Sequence, residues 1–145
     1  MNVIFTLGER RKEKQWKYQR GMLRSLSITD MKKDVQRRFF AHEVEETVSR
    51  LYLSDLCLDM GIDAYLLGAE YARFGHYGES EFSAMQRCRE EIQAVIDQTV
   101  AQFTAWLKLD DAQESLYKEV STGYIHEWWR QGFTEGKKKY SMRLH

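Results

Sequence analysis

Not one of the chain's 145 residues is proline, against a usual share of about 5%. Proline removes a backbone donor and its ring collides with the preceding turn, so its absence takes away the commonest interruption of a helix. The expectation is an all-α fold. Hydrophobic residues make up 43% and aromatics 13%, more than a chain that stays disordered carries. The length suits one core and is short for two. The longest apolar run is Ala64 to Ala69, too short for a membrane span or a signal-peptide core, which predicts a cytoplasmic protein.

Hydrophobic periodicity and caps divide the chain into about five helices, an antiparallel bundle in one domain over 1–145. Thr6 and Glu9 have capping-box spacing and open a helix over 8–25. Ser27, with Asp30 three residues on, opens 28–40, where Ile28, Met31, Val35 and Phe39 share a face. The third helix, 43–74, carries a seam of Val44, Val48, Leu51, Asp55, Leu58, Ile62, Tyr65, Ala69 and Ala72. Beside it runs a line of small residues, Cys57, Gly61, Ala64, Gly68 and Ala72, against which another helix could approach closely. A break at Gly61 is the alternative. Gly75 and Gly78 punctuate the turn, and Ser80 caps a fourth helix over 80–107, with Phe82, Met85, Arg89, Ile92, Ile96, Thr99, Phe103 and Trp106 as its seam. Asp111 and Glu114 would cap a fifth over 112–137, with Leu116, Val120, Tyr124 and Trp128 inward and Lys137 to Lys139 at its negative end.

The formal net charge of zero hides a division. Residues 1–40 hold 11 Lys/Arg against 4 Asp/Glu, residues 41–120 hold 6 against 16, and residues 121–145 hold 5 against 2. The expected arrangement is that the basic ends fold back on the acidic middle, the 1–40 segment packing on an acidic core hairpin. The bases of the first helix spread around most of its circumference, which argues against a membrane-surface helix. A nucleic-acid surface is the rival reading.

Short loops make neighbouring helices antiparallel, so residues level across a hairpin have a constant sum. That sum is about 154 for the third and fourth helices and about 219 for the fourth and fifth. Arg89 then lies level with Tyr65 and with Trp128 to Arg130, and Phe133 to Tyr140 arrives beside the 75–80 loop. Cys57 and Cys88 fall about 13 Å apart along the bundle, beyond disulfide reach, and are expected as buried thiols. The segments that meet are Ala64-Tyr65-Leu66-Leu67-Gly68, Phe74-Gly75-His76-Tyr77-Gly78-Glu79-Ser80, and Trp128-Trp129 with Gly132-Phe133. Together they resemble a small family from Bacillus and relatives, catalogued as domain of unknown function 2521 and also called Bacillus YbaK-like, distinct from the tRNA-editing proteins of similar name. The resemblance covers about 45–143, the N-terminal helix matching only in character. It implies a small cytoplasmic protein and brings no activity with it.

Each candidate has a structural counterpart. Asp55 and Arg89 are charges on apolar seams and call for partners. Arg89 is expected to stack on Trp128 or Tyr65 and reach Asp63 or Glu70, and Asp55 to meet Thr99 or an N-terminal base, with ligand anchoring as the alternative. Asp55, Asp59 and Asp63 recur every four residues, but di-iron bundles need Glu-x-x-His pairs and none occurs. His42 and Glu46 could share a metal without a second such pair, so no metal or cofactor is expected. Gly75 to Ser80 lacks the strand-loop-helix setting of a phosphate loop. Its expected role is to turn the hairpin, the alternative being an anion at the Ser80 helix end with His76 and Tyr77 as walls. Trp128 and Trp129 point about 100° apart, so one is expected in the core and the other partly exposed. No nucleophile motif occurs, so no catalytic residue is assigned.

The expected function is therefore a non-catalytic protein-interaction or regulatory module, binding a protein partner or itself. Its partner or ligand surface would draw on Tyr65, His76, Tyr77, Glu79, Ser80, Arg89, Trp128, Trp129 and Phe133. A small anionic ligand held near the 75–80 loop is the enzyme or sensor alternative. Nucleic-acid binding through 1–40 is the second alternative.

Overall fold

The small-residue line of the third helix decides the architecture. In the computed structural model, which describes residues 6–42 and 47–143, the chain forms six helices and, among the described residues, no strand. They are α1 (Leu7–Ser25), α2 (Ile28–Phe39), α3 (Val48–His76), α4 (Glu81–Arg87), α5 (Arg89–Leu107) and α6 (Asp111–Arg143). The central pair is α3 and α6. A methyl group on Gly68 would press into the Trp129 carbonyl, 2.8 Å from its carbon, and one on Gly132 would stand 2.7 Å from the Tyr65 carbonyl carbon. Both obstacles are backbone, so the two helix backbones touch. Gly61 lies under Tyr124, whose hydroxyl donates to the Cys57 carbonyl at 2.6 Å. Gly61 under Tyr124, Gly68 opposite Trp129, Ala72 beside Gly136 and Gly75 against Lys137 rise together in number, so α3 and α6 run parallel. This is the relation that two successive antiparallel hairpins require.

The contacts across α3 and α5 follow the antiparallel sum. Tyr52 stacks on Trp106 with centroids 4.5 Å apart and donates to Gln102, and the Tyr71 hydroxyl donates to Glu91. The predicted caps at Thr6, Ser27 and Ser80 are present, Thr6 in a full capping box with Glu9. At α6 the box sits one residue earlier than expected. Asp110 accepts from the Gln113 amide at 2.8 Å and its own amide donates to Gln113 Oε1. Cys57 and Cys88 are both buried free thiols.

Three expectations change. The 80–107 helix is two helices, because the Cys88 amide turns to the Met85 carbonyl at 3.1 Å and its backbone leaves the helical region. The break turns Ala84 and Cys88 inward and leaves Phe82 and Arg89 exposed. On α3 the buried residues include Leu53, Cys57, Gly61, Ala64, Tyr65, Gly68, Ala69 and Ala72; the expected seam is buried at Tyr65, Ala69 and Ala72, half-buried at Leu58 and Ile62, and faces outward at Val48, Leu51 and Asp55. Its N-terminal part turns outward because backbone contact with α6 draws the small residues, not the large ones, to the centre. Third, α6 continues six residues past the expected end. Glycines at 132 and 136 cost helix propensity of about 1 kcal/mol each, and close packing on α3 is what compensates. Helix α3 crosses Gly61 unbroken, whereas Val44 and Glu46 lie outside the described residues.

Gly68→Ala and Gly132→Ala should each lower stability by about 3 kcal/mol or more, because neither backbone obstacle can swing aside. Gly8→Ala meets only Thr6 Oγ1 at 3.9 Å and should stabilise by about 0.5–1 kcal/mol. Urea denaturation of the three variants checks both signs.

Candidate functional site

The turn after α3 is closed by backbone chemistry. Glu79 N–H donates to the Phe74 carbonyl at 3.0 Å and Gly78 N–H to the Gly75 carbonyl at 3.1 Å. This Schellman pairing requires a left-handed residue, and Gly78 supplies it with φ of 101°. The helix therefore ends three residues before Gly78's successor, and Gly75 serves a different purpose. A side chain there would meet Phe133 and Lys137, so its bareness lets α6 pass.

Around this turn the side chains form a fixed frame. The Glu79 carboxylate takes both bonds of the Arg87 Nε, at 2.8 and 2.9 Å, and accepts from the Ser83 hydroxyl. The Arg87 hydrogen bond and then Ser83 hold the Glu79 carboxyl below its ordinary range. The Arg87 guanidinium stands 4.2 Å from the Phe74 ring centroid and Arg73 stands at 4.9 Å. Phe133 stacks on Trp129 at 5.0 Å. A chain of rings runs from α1 to the turn: Tyr18 on Tyr140 at 5.5 Å, Tyr140 on His76 at 6.0 Å, and His76 against Tyr77 at 5.0 Å. Tyr18 also ties α1 to α3 by donating to the Ala69 carbonyl at 2.7 Å.

The nine residues singled out from the sequence divide accordingly. His76, Tyr77, Glu79 and Ser80 share the turn, and Phe133 with Trp129 lies beneath it. Tyr65 is buried against α6, and burial with the nearby Glu135 charge pushes its hydroxyl up to about 12. Arg89 is exposed and so is Asp55, which removes the expected stacking of Arg89 on Trp128 or Tyr65. Thr99 spends its hydroxyl on the Val95 carbonyl at 2.8 Å. Ser80 accepts from the Ser83 amide at 3.1 Å, filling the helix end that an anion would have used. The tryptophan pair leaves no exposed ring: Trp129 is 0% and Trp128 8% accessible. The parallel contact with α3 buries one, and α2 covers the other.

Trp128 reveals a constellation that the sequence reading missed. Its indole N–H donates to Asp34 Oδ2 at 2.9 Å, and the same carboxylate receives Arg38 Nε at 3.0 Å and Arg37. Burial alone would raise the Asp34 carboxyl, but hydrogen bonds from Arg37, Trp128 and Arg38 outweigh it and leave the group below its ordinary value. Its signal in the sequence is a carboxylate between Met31 and Val35 on the apolar face of α2, followed by two arginines.

Two surface features complete the end of the molecule. Tyr77 and Phe82 flank the turn at 80% and 73% exposure. Between α1 and α3 lies a half-open cleft of about 320 Å³, to which Lys14, Gln15 and Gln19 of α1, Glu70 and Arg73 of α3, and Tyr140 contribute. It adjoins the turn, but none of Tyr65, His76, Ser80, Arg89 and Trp128, expected from the sequence to bound an anion pocket, lines it. Among the described residues no three of His, Cys, Asp and Glu converge as a metal cluster, and no helix is long and apolar enough to cross a membrane. The His42 and Glu46 pair considered for a metal falls outside the described residues at Glu46.

Asp34→Ala should cost about 1–3 kcal/mol, because the buried Trp128 N–H loses its acceptor. Since the folded carboxyl titrates below its unfolded value, its stabilisation is present above about pH 4 and is lost as pH falls through the lower folded value. The stability gap between the parent and Asp34→Asn should therefore narrow on going from pH 7 to pH 2, measured by urea unfolding.

No curated protein and no solved structure matches the chain significantly. One family model does, over residues 1–145, so the match extends through the basic N-terminal helix as well as the segments that meet at the turn. The chain belongs to the family described as protein of unknown function, DUF2521.

Proposed function

We propose that this protein is a non-catalytic interaction module that binds another protein through the turn between α3 and α4. The observation that carries this reading is the exposure of Tyr77 and Phe82 on a support that cannot yield. Beneath them lie the Schellman turn, the Glu79 pairing with Arg87, and Phe133 stacked on Trp129. Large aromatic side chains supply most of the energy at interfaces when they are presented with little ordering cost. Here the ordering is done during folding. Phe82 was assigned to the core by its spacing, and the break at Cys88 is what turns it outward.

The reading predicts that Tyr77→Ser with Phe82→Ser abolishes association while leaving the melting temperature within about 2 °C, since exposed sites contribute little to stability. Sedimentation over a range of concentrations tests self-association, and crosslinking in cell extract followed by mass spectrometry tests other partners. Unchanged sedimentation together with an unchanged crosslinked set overturns the reading.

A second reading is favoured by the cleft. Lys14 and Arg73 face the same 320 Å³ space, which suits a small phosphate or carboxylate compound. A ligand that binds only the folded state raises the melting temperature. Such a compound should do so for the parent chain and not for Arg73→Gln; no shift with any phosphate or carboxylate removes this reading.

A further inference from the structure

The two basic ends of the chain meet each other. Lys139 of α6 reaches α1 at Gly21, where its Nζ stands 2.8 Å from the place a Cβ would occupy. Lys17, Tyr18, Gly21, Lys139 and Met142 line one shallow groove of about 280 Å³ along this contact. On α1, Arg10, Lys17 and Arg24 recur every seven residues and so fall within about 40° of one another. Lys14 lies on the same flank, and all four are exposed. The carboxylates nearby are committed within their own helices, Glu13 to Lys17 at 3.3 Å and Glu135 to Lys138 at 3.1 Å. Such exposed pairs offset little. Like charges gathered from opposite ends of a chain oppose folding unless a polyanion neutralises them.

We infer that this groove between α1 and the end of α6 binds the phosphate backbone of a nucleic-acid duplex. The track from Arg10 to Arg24 is about 21 Å long, equal to about six base pairs at 3.4 Å each. Cations at fixed intervals on a straight helix suit a rigid, regular array of phosphates. A single strand is held instead by free aromatic platforms, and the ring in this groove, Tyr18, is occupied by Tyr140 and the Ala69 carbonyl. The exposed Trp16, about 100° around α1 from Lys17, has Arg20 over its ring at 4.5 Å. A membrane surface needs a wide apolar face on the helix, and this flank carries Arg10, Lys14, Lys17 and Arg24 in place of one. The inference is independent of the aromatic turn proposed above.

The test uses the full chain and a fluorescent 24-base-pair DNA duplex, titrated by anisotropy from 20 to 200 mM salt. About four phosphate contacts predict a slope of log K against log salt near −4. Lys17→Glu with Lys139→Glu should weaken binding at least tenfold, and Lys17→Gln with Lys139→Gln should weaken it less while keeping the parent's circular dichroism. Lys32→Glu with Lys118→Glu, and Tyr77→Ser with Phe82→Ser, should bind as the parent does. Absence of binding at 20 mM salt, a flat salt response, an equal loss in the control variants, or tighter binding of the single strand or of polyglutamate would each overturn the inference.

Discussion

Everything in this molecule hangs on backbone contact between α3 and α6. Gly68 against the Trp129 carbonyl and Gly132 against the Tyr65 carbonyl leave no space for a side chain on either helix. Each glycine weakens its own helix, yet together they let two long helices lie closer than larger residues permit. Dispersion between densely packed atoms falls off steeply with any gap, which is why this approach compensates the lost propensity. The large rings are then displaced to the rims of the contact. Tyr124 closes over Gly61, and Phe133 fills the space at Gly75.

Parallel alignment of the central pair has consequences for charge and chemistry. Because α6 ends where α3 ends, its lysines arrive at the same pole as the turn and beside α1. The aromatic chain of Tyr18, Tyr140, His76 and Tyr77 follows from that convergence, since its rings come from α1, the end of α6 and the end of α3. On the other flank, Asp34 and Trp128 join α2 to α6 by a buried charge-assisted hydrogen bond. A carboxylate with three donors is tolerated inside because its lone pairs are satisfied.

Much of this plan could be read from one sequence because it rests on local rules. Caps at Thr6, Ser27 and Ser80 follow from side chains that bond their own helix amides. The level arithmetic placed Phe133 to Tyr140 beside the 75–80 turn through loop length alone. The small-residue line is legible as a contact, whereas its neighbour, the larger seam, enters the core only at Tyr65, Ala69 and Ala72 and leaves Val48, Leu51 and Asp55 in water. Periodicity gives the shape of a stripe and not its target. The same limit explains Phe82, whose spacing matched Ile92 and Ile96 until the break at Cys88 turned α4 relative to α5. It also explains Trp129, which the contact with α3 buries although its own helix allows exposure.

Helix content, caps, the absence of a chain breaker and the antiparallel order of neighbours were determined by the sequence alone, because each depends on residues within a turn or a short loop of one another. Which face became the core, which aromatics stayed in water and which charges came to share a groove were decided by the tertiary structure. Most of those outcomes depend on contacts between residues far apart in the chain, such as Gly68 with Trp129 and Gly21 with Lys139, where a few ångströms of backbone approach settle what no local pattern encodes.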